Sequence, residues 1–387
     1  MKVVIHNDGQ RLQGSERQLA ILAEGLTERG HEVIGSVLAG GGLERELRRL
    51  GIRTTRVRPK GDAHLLAAFR FYRFLRREAP DAVLCTSWPR LFWATLAARR
   101  AGVSRLVGRL GIVRPAERRW KYRSAFNRLD ALIANSREVK ETFVATAPEL
   151  PPHAVHVVHN ATLPGPAPGP GSLREDLGLD AGTRLTMSVG ALVRRKGYDL
   201  LLKALAEVPG PHLAIAGQGP WEEHLRTGAR ELGIDGRVHF LGRRDDVPAL
   251  LAGADLFVLA SRNDSLPNAM LEAMAAGVPV LVTTVAGVRT ALAARGTGPA
   301  AGWMVAPDDV DALRRALEVA VAKCRTEEGR AMAAEGARRA REWFSPERMV
   351  AEVEAVLAGG VADGPGPPPG AGWPSGAGST GEGGRAP

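Results

Sequence analysis

The chain contains little cysteine: Cys85 and Cys324 are the two cysteines among 387 residues. Such a distant pair excludes a disulfide scaffold and is typical of a reducing compartment. The sequence also lacks any uninterrupted apolar run near the ~18 residues that a membrane-spanning helix needs. Residues 1–9 resemble a strand and a loop rather than the apolar core of a signal peptide, so we expect a cytoplasmic protein. Aromatic residues make up 5% of the chain, but 44% hydrophobic residues suffice for two or three packed domains.

Charge is distributed unevenly along the chain. Residues 1–160 hold 28 Lys and Arg against 15 Asp and Glu, whereas residues 161–387 hold 24 against 27. A basic half could face nucleic acid, an anionic membrane or a phosphorylated substrate. No recognised nucleic-acid module appears, so we do not expect a nucleic-acid partner. Aromatic and basic residues are mixed in residues 64–79 and 114–127, which fits either an anionic bilayer surface or helices packed on a sheet with solvated arginines.

Two stretches rich in glycine and proline divide the chain. Seven of the eight residues in 164–171 and 15 of the 24 residues in 364–387 are Gly or Pro, which is typical of a linker and of a disordered tail. The predicted units are an N-terminal domain at 1–162, a linker region at 163–183, a C-terminal domain at 184–345, a helix at 346–362 that could return to the N-terminal domain, and a disordered tail at 363–387.

Short apolar strands alternate with helices in both halves. The predicted strands are 3–5, 31–38, 82–85, 105–107, 131–134 and 155–158, followed by 185–189, 213–216, 238–241, 256–259 and 280–282. This alternation predicts right-handed βαβ units and parallel sheets. The expected fold class is therefore α/β, with two Rossmann-like domains whose sheets face an interdomain cleft, and ligands should bind at the carboxyl ends of the strands.

The strongest local signal is the segment 261–280, which follows a predicted strand. Asp264 or Ser265 suits a helix cap, and Pro267 suits the first turn. Glu272 lies about two turns beyond Asp264, so both carboxylates could face one ligand and hold a pair of sugar hydroxyls. The alternative is a capping aspartate and a solvated glutamate, which the apolar neighbours of Glu272 disfavour.

A second signal is a basic loop between Gly190 and Gly197. Arg194, Arg195 and Lys196 follow a predicted strand and could neutralise a diphosphate, or they could form a solvated basic turn. The Gly-Gln-Gly sequence at 217–219 permits close approach of a ligand but is common in turns.

In the N-terminal half, Gly14 and Ser15 stand between the first strand and the first helix. The start of this helix favours an anion, although a plain capped helix is an equally good interpretation.

Together these motifs resemble the retaining glycosyltransferases of family 4, which have the GT-B fold, over roughly residues 1–345. The matching segments are 14–17, 134–136, 157–160, 196–197, 217–220, 238–242, 264–268 with Glu272, and 302–305. Two positions depart from the family pattern. Ala191 stands where the family often has arginine, and residues 107–111 lack the family's histidine. Arg109 lies there, either in the role of that histidine or as a ligand for an acceptor phosphate.

The resemblance implies sugar transfer from a nucleotide-diphosphate sugar bound to the C-terminal domain. Lys196 and Arg195 would stabilise the departing diphosphate, Asp264 would hold the donor sugar, and Glu272 would hold the ribose. The implied site residues are Arg195, Lys196 and Asp264 for catalysis, Gly190, Gly217, Arg243, Ser265, Leu266, Asn268 and Glu272 for the donor, and Gly14, Ser15 and Arg109 for the acceptor or its phosphate. No metal and no cofactor beyond the donor are expected.

A UDP-sugar is the first expected donor and a GDP-sugar the second. The expected acceptor is a hydroxyl of a bacterial glycan, a lipid-linked glycan or a small natural product. Two alternatives stay open: a UDP-sugar 2-epimerase of the same fold, and a degenerate, non-catalytic GT-B scaffold at a membrane. The protein would be cytoplasmic, and peripheral on the inner membrane face if its basic half meets anionic lipid.

Overall fold

The computed structural model describes residues 1–57, 64–111, 120–147, 150–163, 172–294 and 299–362. The Gly/Pro-rich stretch at 164–171 and the predicted tail at 363–387 lie outside the described residues. The same holds for Arg114, Arg118 and Arg119 of the second basic stretch.

The N-terminal half of the described chain builds one parallel sheet with helices on both faces. Its strands are β1 (Lys2–His6), β2 (Glu32–Leu38), β3 (Arg53–Val57), β4 (Ala82–Cys85), β5 (Arg105–Leu110), β6 (Ala131–Ala134) and β7 (Val155–Val157), in the order β3-β2-β1-β4-β5-β6-β7. The helices are α1 (Gly14–Glu28), α2 (Gly42–Arg49), α3 (His64–Glu78), α4 (Leu91–Ala101), α5 (Trp120–Phe126) and α6 (Arg137–Val144). The central strands are apolar on both faces because helices cover both sides of the sheet.

The C-terminal half repeats this plan around a second parallel sheet. Its strands are β8 (Leu185–Val189), β9 (His212–Ala216), β10 (Val238–Gly242), β11 (Leu256–Leu259), β12 (Val280–Thr283) and β13 (Trp303–Val305), in the order β10-β9-β8-β11-β12-β13. The helices are α7 (Ser172–Asp176), α8 (Tyr198–Glu207), α9 (Glu222–Glu231), α10 (Val247–Ala252), α11 (Asn268–Ala275), α12 (Val288–Leu292), α13 (Val310–Lys323), α14 (Glu327–Trp343) and α15 (Pro346–Leu357). The predicted α/β class with two parallel sheets is confirmed.

The sequence analysis did not predict two of the strands, and each of them lies at the edge of its sheet. β3 reads Arg-Thr-Thr-Arg-Val, and β13 has three residues. An edge strand pairs on one side, so it can be polar or short and still be held by its neighbour. The apolar runs that mark central strands are weak or absent there.

The last described helix, α15, packs on the N-terminal domain. Met349, Val350 and Val353 belong to the same apolar cluster as residues of β1 and α1. The Glu354 carboxylate accepts hydrogen bonds from Arg29 Nε at 2.6 Å and from the His31 ring at 2.7 Å. The chain therefore crosses back to its first domain after completing the second.

Within the described residues, none of the helices is both long and apolar enough to span a bilayer.

Candidate active site

A cleft of about 530 Å³ lies between the two sheets, at the carboxyl ends of their strands. Its N-terminal wall comes from the loops that follow β1, β4, β5, β6 and β7, and its C-terminal wall from the loops that follow β8 to β11 and from the start of α11. The sequence-predicted site residues that line it are Gly14, Ser15, Arg109, Gly190, Arg195, Lys196, Gly217, Arg243, Asp264, Ser265, Leu266, Asn268 and Glu272. The structure thus brings the predicted residues to one place, while their individual roles stay predictions.

The basic loop after β8 folds into a short turn over Arg194–Lys196. Gly197 ends it in the left-handed region at φ +65°, and a Cβ there would lie 1.9 Å from the Ala260 carbonyl oxygen. Only glycine therefore fits, and the tight turn presses Lys196 into the cleft wall. The buried Lys196 ammonium is ion-paired with the Asp264 carboxylate, and Arg195 Nη1 lies 3.7 Å from the same carboxylate. Two cations and one acid are thus concentrated at the strand ends.

The glycines predicted for the donor site form the floor beside this loop. The Gly190 amide donates to the Ala216 carbonyl at 3.0 Å, and the Gly217 amide donates to the Gly242 carbonyl at 2.8 Å. Both glycines line the cleft where β8 and β9 end. Arg243 stands at the rim, with Nη2 3.4 Å from Asp245 Oδ1.

Glu272 lies one turn inside α11 and is half-buried. Burial raises the pKa of its carboxyl above the ordinary value, while the nearby Arg17 cation acts in the opposite direction. Among the described residues, no side chain or backbone group is hydrogen-bonded to this carboxylate. It is therefore available to a ligand that presents hydroxyl groups.

The predicted cap of this helix is wrong. α11 begins at Asn268, Pro267 is its N-cap residue, and no side chain caps it. Asp264 is instead ion-paired with Lys196, and the Ser265 hydroxyl donates to the Gly111 carbonyl at 2.7 Å. Both candidate caps are engaged by long-range partners. Among the described residues, the amides of Asn268 and Ala269 at the start of the helix donate to no other group, and both residues line the cleft.

Two predicted donor-binding side chains of this segment form hydrogen bonds across the domain interface, and a third is buried. Ser265 Oγ accepts from Asn135 Nδ2 at 2.8 Å, and Asn268 Oδ1 accepts from Asn160 Nδ2 at 2.8 Å. The Leu266 side chain is buried in the core of the C-terminal domain. The backbone of this segment, rather than these side chains, is what remains to face a donor.

On the N-terminal wall, α1 begins at Gly14, directly against the other domain. A Cβ at Gly14 would lie 2.5 Å from Asn268 Nδ2, so a larger residue would push the walls apart. The Ser15 hydroxyl donates to Glu16 Oε2 at 2.9 Å, and the same oxygen accepts from the Gln13 amide at 3.2 Å. The first turn of α1 is therefore partly capped by Glu16, which agrees with the interpretation of this segment as a plain capped helix.

Arg109, near the end of β5, is a buried cation. Its Nη2 donates to Asn160 Oδ1 at 3.1 Å and lies 3.8 Å from Met349 Sδ. Among the described residues, no carboxylate is within ion-pair distance and Nη1 has no partner. Desolvation lowers the pKa of this guanidinium to about 10. The Arg109 guanidinium is thus a buried cation that is hydrogen-bonded to the amide oxygen of Asn160. A bound anion would offset the free-energy cost of burying its charge.

Sequence reasoning attached no role to Asn135, Asn160 or Arg17, although all three line the cleft. Asn135 directly follows a predicted strand and Asn160 stands two residues after another, and both lie in segments that match the family pattern, which was the available signal. Arg17 Nη2 lies 3.8 Å from Asp245 Oδ1 of the other domain, a contact that no local pattern reveals.

Within the described residues, no group of three or more His, Cys, Asp or Glu side chains is arranged to hold a metal ion.

Comparison with known families agrees with the two-domain architecture. Residues 12–162 match the family described as Glycosyltransferase Family 4, and residues 171–339 match Glycosyl transferases group 1. The chain is a family 4-type glycosyltransferase with the GT-B fold. The expected resemblance is confirmed, and the chain is a transferase by family.

Curated relatives and solved structures extend this likeness to most of the chain. A lipopolysaccharide core biosynthesis glycosyltransferase of Rhizobium meliloti, LpsE, is 28% identical over 317 residues, which are 80% of this chain and 86% of that protein. Alr3699/HepE of Anabaena, solved with UDP and with UDP-glucose, has a TM-score of 0.79 at 20% identity and covers 93% of this chain and 100% of its own. A putative UDP-N-acetylglucosamine 2-epimerase of Listeria monocytogenes has a TM-score of 0.61 at 16% identity, over 92% of this chain and 95% of its own. The structural matches establish the fold.

Proposed function

We propose that this protein is a retaining glycosyltransferase that moves a sugar from a UDP-sugar to a hydroxyl of a glycan or glycolipid acceptor. The observation that carries the proposal is the donor wall, where the basic turn with Lys196 and Arg195 lines the same cleft as Glu272, whose carboxylate has no hydrogen-bond partner among the described residues. A nucleotide-diphosphate sugar has matching groups, since its diphosphate needs cations and its ribose diol needs a hydrogen-bond acceptor. The solved complexes of HepE with UDP and UDP-glucose support UDP as the first choice.

The cations of the cleft are placed where they could stabilise a departing diphosphate. In this structure Asp264 is paired with Lys196 and lies near Arg195, so an incoming diphosphate would compete for the same two cations. As the bond from sugar C1 to the phosphate oxygen breaks, negative charge grows on that oxygen, and positioned cations stabilise it. Lys196 and Arg195 would supply this stabilisation without a metal ion.

Retention of configuration needs no protein nucleophile in this scheme. The C1–phosphate bond breaks while a bond from C1 to the acceptor oxygen forms, and the acceptor proton passes to the departing phosphate oxygen. Asp264 would hold the donor sugar together with the bare backbone of segment 265–268.

The acceptor would enter from the N-terminal wall, past Gly14 and Arg109. The LpsE relative acts in lipopolysaccharide core biosynthesis, which supports a glycan or glycolipid acceptor. The exposed apolar side chains of α3 and α5 suit a substrate held at a membrane. We call them the α3–α5 patch: Leu65, Leu66, Phe69 and Trp120.

The two interpretations of residues 64–79 both describe part of α3. Phe71 and Leu75 are buried in the core, whereas Leu65 is 68% exposed and Phe69 55% exposed. Arg70 and Arg73 are also exposed beside them. Exposed apolar and basic groups on one helix favour an anionic bilayer, so we propose peripheral binding to the inner membrane face.

A thermal-shift screen of UDP-, GDP-, ADP- and dTDP-sugars with EDTA present tests the donor and the absence of a metal requirement. We expect a UDP-sugar to raise the melting temperature most, since a ligand stabilises the state that binds it. Stabilisation that requires added metal would overturn the metal-free scheme. Failure of every nucleotide sugar to bind would favour the non-catalytic scaffold.

Retention is tested by proton NMR of the anomeric centre in the product. Product with the anomeric configuration of the donor supports the proposal, and inverted product contradicts it. Conversion of the donor to its C2 epimer without transfer would instead identify the 2-epimerase alternative, which the fold of the Listeria protein permits.

A further inference from the structure

Three loops of the N-terminal domain hold one short segment of the C-terminal domain. Asn135 follows β6 and donates to Ser265 Oγ, whose hydroxyl donates in turn to the Gly111 carbonyl after β5. Asn160 follows β7 and donates to Asn268 Oδ1. We call Asn135, Asn160, Ser265 and Asn268 the clasp.

The clasp is polar, and three of its four residues are buried while Asn268 is half-buried, which makes its hydrogen bonds specific. Asn135 and Ser265 are each 2% exposed, and Asn160 is 8% exposed. If a buried amide or hydroxyl loses its hydrogen-bond partner, the free-energy cost of removing that group from water is no longer offset. Each bond therefore strongly favours the observed position of segment 265–268 over positions in which the bond is broken. The bonds run between domains and therefore act on how the domains meet rather than on either core.

The held segment lies in the centre of the donor wall. Asp264, the partner of Lys196, directly precedes it, and Glu272 lies one turn beyond it on α11. Any displacement of residues 265–268 against the N-terminal domain would therefore move the donor wall, together with both carboxylates, relative to the acceptor wall.

Asn160 also joins the clasp to the acceptor wall. Its Oδ1 accepts from Arg109 Nη2 at 3.1 Å while its Nδ2 donates to Asn268. One amide group thus connects a buried cation of the first domain with the first residue of α11.

We propose that Asn135 and Asn160 are positioning residues for sugar transfer. By holding segment 265–268 they set the donor wall against the acceptor wall in the geometry required for reaction. This inference rests on the proposed function. Donor binding itself depends on groups of the C-terminal domain, so the clasp should matter for the transfer step more than for donor affinity.

The test uses the full chain with Asn135→Ala and Asn160→Ala, and Asp245→Asn as the matched control. The control removes a different contact between the domains, in which Arg17 Nη2 lies 3.8 Å from Oδ1 of the exposed Asp245. We expect kcat to fall about 10- to 100-fold in both clasp variants, the cost typical of small misplacement of reacting groups. The Kd of the donor should change little, and the control should keep the wild-type kcat.

Hydrogen exchange supplies a second readout that does not depend on turnover. Amides of residues 264–272 should exchange faster in both clasp variants than in the wild type and the control, while amides of β8 and β9 keep their protection. Ser265→Ala removes the same bond from the other side, together with the bond to Gly111, and should accelerate exchange at least as much as Asn135→Ala.

Two results would overturn the inference. One is wild-type kcat in both clasp variants. The other is a parallel loss of donor affinity, kcat and melting temperature, which would indicate a general structural defect. If the wild-type protein transfers no sugar at all, the proposed function fails, and unchanged exchange at 264–272 in the variants would then reject the clasp as well.

Discussion

At the scale of single residues, Lys196 is the most informative side chain of the cleft. It is buried, ion-paired with Asp264, and placed by a turn that only glycine at 197 permits. Its ammonium would stabilise charge that develops on the departing diphosphate, so Lys196→Ala should lower kcat about 100- to 1,000-fold.

Steady-state kinetics with a UDP-sugar measure this effect of Lys196→Ala. Lys203→Ala is the matched control because Lys203 is exposed on α8. Equal turnover of both variants would remove Lys196 from the mechanism.

Glu272 should make donor binding sensitive to mild acid. Burial raises the pKa of its carboxyl above 4.5, so the group takes up a proton at a higher pH than an ordinary glutamate. The protonated form accepts the ribose diol less well. We expect the Kd of a UDP-sugar to rise as pH falls through this raised pKa.

Titration calorimetry between pH 4 and 7 measures that dependence. Glu272→Gln should bind more weakly at pH 7 and show a flatter profile. An unchanged pH profile in Glu272→Gln would contradict the assignment.

His6, at the end of β1, should contribute to acid sensitivity of the fold. Burial lowers the pKa of its imidazole to about 4, with Asp8 acting oppositely and Arg90 in the same direction. The unfolded chain therefore binds a proton before the folded chain does, and stability present above pH 6.5 is lost as pH falls toward 4. The loss would reach about 3 kcal/mol at pH 4.

Urea unfolding across this pH range tests the expectation. His6→Gln should show a smaller loss of unfolding free energy than the wild type, whereas His153→Gln, at an exposed position, should follow the wild type. If the unfolding free energy of His6→Gln depends on pH as that of the wild type does, His6 is not the origin of the stability loss in acid.

At the scale of elements, α15 stabilises the domain to which it returns. Val353 is fully buried among residues of β1 and α1, whereas Val319 on α13 is 44% exposed. Val353→Ala should cost about 2 kcal/mol of unfolding free energy through lost apolar burial and the cavity left behind.

Chemical denaturation compares that loss with Val319→Ala, the same change on a solvent-facing helix surface, which should cost less than about 0.5 kcal/mol. Equal effects of the two variants would show that α15 contributes little to the first domain.

The start of α11 illustrates how the capping of a helix can depend on distant residues. Asp264 and Ser265 have the side chains of good caps, and local reasoning placed the cap there. Their actual partners are Lys196 and Gly111, 68 and 154 positions away. These contacts take the place of local capping, while the helix begins at Asn268, with the amides of its first residues at the donor wall.

At the scale of the whole molecule, the basic surplus lies on the half that carries the α3–α5 patch. We expect the protein to sediment with vesicles that contain anionic lipid, and binding should weaken as salt is raised. Phe69→Glu should lower this binding, whereas Leu232→Glu, at an exposed position of the other domain, should not. Equal binding to neutral vesicles would argue against the electrostatic account.

The sequence by itself determined the features that arise from local pattern. Apolar runs separated by helical periods predict central parallel strands, because both faces of such strands are buried. The cations at 194–196 and the carboxylates at 264 and 272 could be placed at strand ends for the same reason. Their family resemblance then pointed to sugar transfer before any contact was known.

Only the tertiary structure decided what depends on residues far apart in the chain. Asn135 meets Ser265 across 130 positions, and Asn160 meets Asn268 across 108; no periodicity or spacing encodes such pairs. The same holds for the edge strands, for the return of α15 to the first domain and for the burial of Arg109. Each of these features depends on packing against a segment that is distant in the sequence. A polar side chain shows its type in the sequence, but its partner, and thus its role, is set by the packing of the two domains.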